Sequence, residues 1–313
     1  MKVVSGTAGR VSCWDLPIQL STRVWRLGTY HLAVFLVRGD HESLLFEVGI
    51  SSTAPLIMAQ LAELGVSPEE IRYVVLTHAH SDHATGGPIL LTCLPRAELV
   101  MSQASQRHLA KPETSDTFRE EDLFTSAAIL GQDAVDQLSN SMPAPPENER
   151  TLIMEPGDSL HLDGVEMQLL GAEGHVPGGL LGWLPSEGAL LGSDSAGFCS
   201  LGDPSYPLYF VSYTDYQRNL ANLMDQHPDL LGLGHQDCFV GTSAVDFLKR
   251  TIDLLAQDHQ GIISGLAEGR DEESLAQAIF HRYYREELTI YPPDTILECC
   301  RLLVRRSREH EEG

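Results

Sequence analysis

The sequence predicts an α+β fold: two sheets flanked by helices, followed by a helical C-terminal stretch. Three observations predict it. Short β-rich runs and helical patterns alternate twice between residues 30 and 240. After residue 241 the pattern is helical alone. Several apolar runs also stop directly at polar clusters, a common way for strands to deliver side chains into a rigid site.

The elements come in this order. Ala33 to Arg38 and Ser43 to Val48 read as strands joined by a hairpin turn at Gly39-Asp40-His41-Glu42. Thr53 is placed to cap a helix with Pro55 in its first turn, Ile57, Leu61 and Leu64 on one face, and Gly65 at its end. Ile71 to Thr77 is a β-rich run that ends at His78. Residues 102 to 150 look helical but irregular, interrupted by Pro143, Pro145 and Pro146, and are read as an insertion near the mouth of the site. Strands resume at Gly164–Gly171, Leu180–Leu184 and Ala189–Gly192, the last two joined by the turn Pro185-Ser186-Glu187-Gly188. Ser212 or Thr214 is placed to cap a helix carrying Leu220, Leu223, Met224 and His227. Leu230 to Leu233 is read as the final short strand, ending at Gly234-His235. Val245, Leu248, Ile252 and Leu255 then recur at helical spacing, and further helices are expected over Glu272–Arg285 and Asp294–Arg308.

Composition excludes several classes of function. The chain has 313 residues, 42% of them hydrophobic, enough for a sizeable core. A formal net charge of −23 repels phosphate backbones, so no nucleic acid is expected as a partner. No stretch is long and apolar enough to span a membrane, and no signal peptide is read at the start. The six cysteines, Cys13, Cys93, Cys199, Cys238, Cys299 and Cys300, form no Cys-x-x-Cys pair. Reduced thiols in a cytoplasmic protein are the simplest account.

The chemistry concentrates at Thr77-His78-Ala79-His80-Ser81-Asp82-His83. Three imidazoles and a carboxylate within six residues suit zinc, with iron or manganese as alternatives. Four ligands this close in one loop do not easily converge on a single ion. Split between two neighbouring ions, they need partners from elsewhere. His175 in Gly174-His175-Val176-Pro177-Gly178-Gly179, Asp194 in Gly192-Ser193-Asp194-Ser195 and His235 in Gly234-His235-Gln236 each come after a strand and are flanked by or close to glycine, which lets backbone approach closely.

The order His-x-His-x-Asp-His, Gly-His, Ser-Asp, Gly-His resembles the metallo-β-lactamase superfamily over about residues 30 to 240. The resemblance implies an αββα sandwich with the site at one edge. A catalytic domain over residues 1–240 and a C-terminal helical extension over 241–313 packed on it are expected. By motif match, His78, His80 and His175 would bind a first metal, Asp82, His83 and His235 a second, and Asp194 would bridge both. Asp82 and Asp194 are the expected catalytic carboxylates. Zinc β-lactamases carry cysteine or serine where this chain has Asp194, which argues against antibiotic hydrolysis. Flavo-diiron proteins replace the second histidine with glutamate, and His80 argues against that branch. The similarity that remains is to the glyoxalase II, lactonase and thioesterase-like branches. A narrower one is to the thioesterases of bacterial alkylquinolone signalling. It is carried by Phe46-Glu47-Val48-Gly49-Ile50, where glutamate replaces the usual aspartate, and by the helices after the last ligand. Glu47 is read as orienting a ligand rather than reacting.

The function expected is hydrolysis of a small acyl thioester or related ester by a hydroxide shared between two divalent ions. The alternatives are a lactonase on the same site, a mononuclear-iron persulfide dioxygenase, and a regulatory protein-binding module with a structural metal site. Lysines are scarce, at Lys2, Lys111 and Lys249, and none lies near the motifs. A good leaving group is therefore favoured over an amide. Tyr206, Tyr209, Phe210 and Tyr213 are placed either to line an acyl pocket or to pack a core. Phe280 to Arg285 is read as a solvated helix face, with a cover over the site or a homodimer contact as alternatives. Cys238 is expected to pack rather than ligate, and Asp237, next to it and outside the motif, to be dispensable.

Overall fold

The computed structural model describes residues 2–3, 9–138 and 150–312. Two sheets stack face to face, and the reason is visible in one strand. Ala33–Arg38 is apolar almost throughout, and its side chains alternate between faces. Ala33, Phe35 and Val37 enter the core between the sheets, while Val34 and Leu36 enter the core beneath a helical layer. A strand covered on both sides needs an unbroken apolar run, and this one has it.

Among the described residues the first sheet has eight strands. In spatial order they are Lys2–Val3, Ile18–Gln19, Val24–Gly28, Ala33–Arg38, Ser43–Phe46, Ile71–Val75, Glu98–Met101 and Thr151–Ile153. The second has seven: Ser159–Leu162, Val165–Gly171, Leu180–Leu184, Ala189–Leu191, Leu230–Gly232, Cys238–Val240 and Gly9–Val11. The expected hairpin is present, closed by Gly39 N–H donating to Glu42 O at 2.7 Å. Phe35, Phe46 and Val75 from the first sheet meet Met167, Leu180 and Leu191 from the second.

Helices α1 (Ala54–Glu63) and α2 (Gly87–Cys93) cover the outer face of the first sheet. Three helices fill the stretch read as an insertion: α3 (Gln103–Leu109), α4 (Pro112–Leu130) and α5 (Gln132–Leu138). Pro143, Pro145 and Pro146 lie outside the described residues. The outer face of the second sheet is covered by α6 (Tyr213–Asp225), α7 (Thr242–Ala267), α8 (Glu272–Tyr283) and α9 (Pro293–Glu312). Leu181, Leu190, Leu231 and Phe239 of that sheet share one core with Leu220, Phe247, Leu275 and Leu303. The layers therefore run helix, sheet, sheet, helix, as an αββα sandwich with its C-terminal helices on the second sheet. None of the described helices is long and apolar enough to cross a membrane.

The structure corrects several local expectations. Leu230–Gly232 is not the final strand. Cys238–Val240 comes after it and pairs antiparallel with it and with Gly9–Val11. Three residues are too few to carry a periodic signal, and their pairing partner lies at the other end of the chain. The hydroxyl of Thr53 bonds back to Ile50 O at 2.8 Å instead of capping α1, because a 3₁₀ turn over Ser51–Thr53 feeds into that helix. Ser212, not Thr214, caps α6 by accepting from Asp215 N–H at 3.2 Å. His227 lies beyond α6 with a left-handed φ of 48°.

Candidate metal centre

The site lies where strands of both sheets end. Ile71–Val75 leads to His78, Val165–Gly171 to His175, Ala189–Leu191 to Asp194, and Leu230–Gly232 to His235. Two backbone hydrogen bonds pin the sheets together at this edge: Leu180 N–H to Thr77 O, and Ala33 N–H to Gly234 O, both 2.8 Å. The loops are thereby held at fixed separation before any side chain acts. Gly234 has to be glycine, since a Cβ there would stand 2.7 Å from Asp194 Oδ1 and 2.9 Å from His83 Cε1.

All seven residues singled out in the sequence come together. His78, His80, His175 and Asp194 form one group, and Asp82, His83 and His235 another, with the donor atoms of each group within 4.8 Å of one another. Asp194 faces both. Its Oδ2 lies 3.4 Å from His175 Nε2 and 3.8 Å from His78 Nε2. Its Oδ1 lies 3.0 Å from His235 Nε2 and 3.5 Å from His83 Nε2. Asp82 Oδ2 turns to the second group, 3.4 Å from His83 Nε2 and 3.6 Å from His235 Nε2.

The outward ring nitrogens are held by the protein, which fixes each tautomer and ring plane. His175 Nδ1 meets Leu208 O at 2.8 Å, His235 Nδ1 meets His31 O at 2.8 Å, and His83 Nδ1 meets Glu47 Oε2 at 2.9 Å. His80 differs and presents Nδ1 to the cluster, 3.1 Å from His78 Nε2. Glu47 is fully buried and also accepts from Thr77 Oγ1 at 2.9 Å. It orients His83, as expected, and does so from a left-handed φ of 77°. Non-glycine residues in that region cost energy and concentrate at functional sites.

The residues fit a divalent cation. His175 Nε2 and Asp194 Oδ1 are buried, aimed inward, and lack a well-directed hydrogen-bond partner. Buried polar atoms are rarely left so. Burial, together with the neighbouring imidazoles, holds His78 well below its ordinary range. His80 is held at about 3 by burial and by His175. Both keep a lone pair free for a metal. Burial opposes charge on His83 and His235 too, but there the carboxylates outweigh it and both pKa values rise. Protons drawn to imidazoles among carboxylates mark a place where positive charge is wanted.

The expected site did not include Tyr291. Its hydroxyl donates to Asp82 Oδ2 at 2.9 Å and lies 3.3 Å from His235 Nδ1. Burial, then Asp82 and Asp194, push its pKa well up, so it stays a proton donor. Tyr284 Oη fixes it by donating to Tyr291 O at 3.0 Å. Nothing local in the sequence marks Tyr291, which lies 209 positions from Asp82. Tyr291→Phe is expected to weaken metal retention by about 10- to 100-fold, the usual effect of losing a group that orients a ligand. Competition against a chromogenic chelator measures it, and unchanged retention would show the phenol to be a bystander.

A cavity of about 210 Å³ opens on the cluster. Tyr206 and Phe210 line it, together with Phe198 and Leu208. Tyr209 and Tyr213 do not. Tyr209 bonds Ser307 of α9 at 2.9 Å, and Tyr213 stacks on His259 with centroids 3.9 Å apart. The four aromatics thus divide between pocket and core. Helix α4 supplies Thr117, Phe118 and Glu121 to the wall, and residues from Leu288 to Cys299 close it. Phe280 packs against the helical core and is absent from the wall. Cys238 is buried with its sulfur 3.9 Å from that of Cys13, a packing role. Asp237 is fully buried and ion-paired to the exposed Arg10, so it carries a structural contact that its place in the sequence does not reveal.

A model of the metallo-β-lactamase superfamily matches residues 28–235, more than half of the chain and a span enclosing all seven residues. The chain belongs to the metallo-β-lactamase superfamily. Solved structures of similar fold include a metallo-β-lactamase family protein from Thermus thermophilus, 19% identical over 90% of this chain and 89% of its own, with a TM-score of 0.63. An archaeal metallo-β-lactamase superfamily protein from Sulfolobus tokodaii is 18% identical over 97% and 100%, with a TM-score of 0.55. A metallo-β-lactamase from Cronobacter sakazakii is 21% identical over 81% and 98%, with a TM-score of 0.53. At these identities the likeness is one of fold. The superfamily consists mostly of metal-dependent hydrolases, and the His/Asp cluster of this member fits divalent metal binding.

Proposed function

We propose that this protein is a dinuclear metal-dependent hydrolase of a small acyl thioester or related ester. The observation that carries the reading is an apolar cavity opening on a cluster whose two donor groups meet at Asp194. In this reading His78, His80 and His175 hold one ion, Asp82, His83 and His235 the other, and Asp194 is shared. Zinc suits these donors best, with iron or manganese as alternatives. Bound divalent ions supply an acidified water and polarise a carbonyl oxygen.

The chain's own groups do the rest. Glu47 holds the ring of His83, the backbone carbonyls of Leu208 and His31 hold His175 and His235, and the apolar wall excludes water around the acyl group. No lysine or arginine lines the cavity among the described residues. A leaving group that departs without protonation, such as a thiolate, suits that wall better than an amine. The net charge of −23 opposes a polyanionic substrate.

The test uses protein loaded in turn with zinc, iron and manganese and assayed on aryl thioesters, lactones and bis(nitrophenyl) phosphate. Metal-dependent thioester hydrolysis is expected, and it should collapse in His80→Ala. Phosphodiester cleavage exceeding thioester and lactone cleavage by a wide margin in kcat/KM would replace this reading with a phosphodiesterase.

A further inference from the structure

We propose that the cavity accepts electrically neutral, apolar acyl or aryl groups and that Glu121 turns anionic ones away. The identity of the reacting group rests on the hydrolase reading, but the charge selection stands on the cavity alone.

The size comes first. At about 210 Å³ the cavity is smaller than the roughly 300–1,000 Å³ of sites that enclose drug-sized ligands. It takes one ring or a short chain, and the body of a carrier thiol stays outside. The wall comes second. Phe118, Phe198, Phe210, Leu288 and Ile296 are among its apolar residues, and no lysine or arginine lies on it among the described residues. An anion lodged against this wall sheds its water and finds no cationic side chain in return. The third observation is Glu121, the one acidic side chain on the described wall outside the donor cluster. Thr295 Oγ1 donates to Glu121 Oε1 at 2.8 Å, joining α4 to α9 and fixing the carboxylate in place. A second carboxylate or sulfonate brought beside it meets a like charge in a site of low polarity, an arrangement proteins use to reject wrong partners.

Helices α4 and α9 supply none of the seven donor residues, yet they close over the site. Selection at this wall gives them a role.

The experiment measures binding of two probes of matched shape, p-toluamide and p-toluenesulfonate, to the metal-loaded protein by ligand-observed NMR. The neutral probe is expected to bind at least about tenfold more tightly. Glu121→Gln keeps an oxygen for Thr295 and removes the charge, so the ratio of the two affinities should narrow by about tenfold. Reading the ratio within each protein cancels any loss common to both probes. Equal binding of the two by the unaltered protein, or an unchanged ratio in Glu121→Gln, overturns the proposal. A protein that prefers the neutral probe but hydrolyses no thioester would refute the hydrolase reading and leave this one standing.

Discussion

Asp194→Ala is expected, on the dinuclear thioesterase reading proposed above, to lower bound metal from two ions per chain and to cut thioester hydrolysis by more than about 100-fold. The magnitude comes from position: groups that merely orient ligands are worth about 10- to 100-fold, and Asp194 touches both donor groups directly. Its two oxygens divide between His175 and His78 on one side and His235 and His83 on the other. No other described residue spans that gap, so alanine leaves two half-sites with nothing to set their separation. Elemental analysis of protein purified with each metal reads the stoichiometry, and initial rates read the activity. Two tightly held ions together with near-normal turnover in this variant would mean that the bridge has been placed on the wrong residue.

Gly174→Ala is expected to be the most destabilising small substitution near the site, by roughly 2–5 kcal/mol when strain and overpacking are combined. The residue has φ 90°, where an L side chain is strained. An added Cβ would also stand 2.5 Å from Tyr216 Cα, at the first turn of α6. That backbone has little freedom to yield, since Tyr216 N–H bonds Ser212 O at 3.1 Å and Tyr216 Oη donates to Asp194 O at 2.8 Å. Gly174 O in turn accepts from Val211 and Ser212 N–H at 3.0 and 3.2 Å. Strain at Gly174 therefore reaches the neighbouring ligand His175 and the backbone of Asp194 together. Thermal unfolding should show a midpoint lower by several degrees in metal-free protein, and a second scan with metal should recover less than the normal gain. A midpoint within a degree of the parent, with normal metal gain, would contradict this account of the loop.

The donor set was legible because each ligand sits just past a strand end, and strand ends announce themselves locally. Thr77 to His83 is continuous in sequence, and His175, Asp194 and His235 each come after an apolar run with glycine adjacent or nearby. Glu47 was read as an orienting group from the resemblance carried by Phe46 to Ile50, while the strand expected over Ser43 to Val48 ends at Phe46 and leaves Glu47 just beyond it. The sandwich could be read from the alternation of strands and helices, and the helical C-terminal stretch from its spacing. These properties depend on neighbours within a few residues, and a sequence displays such neighbours directly.

Contacts between distant segments decided the rest. Tyr291 reaches Asp82 only because α7 to α9 fold back across the second sheet. Glu121 faces the cavity only because Thr295 meets it from α9. The division of Tyr206 and Phe210 from Tyr209 and Tyr213 depends on which side of one irregular segment faces the cluster and which faces Ser307 and His259. The burial of Asp237 and its pairing with Arg10 come from a contact between distant parts of the chain. Cys238–Val240 is a strand by virtue of pairing with Gly9–Val11, more than two hundred residues away. The sequence alone determined the seven residues that cluster and the layered fold, because short-range periodicity and turn chemistry specify the strands and the loops at their ends. The tertiary structure alone decided the wall and the phenol, because both arise where segments far apart in the chain exclude water from the same small volume.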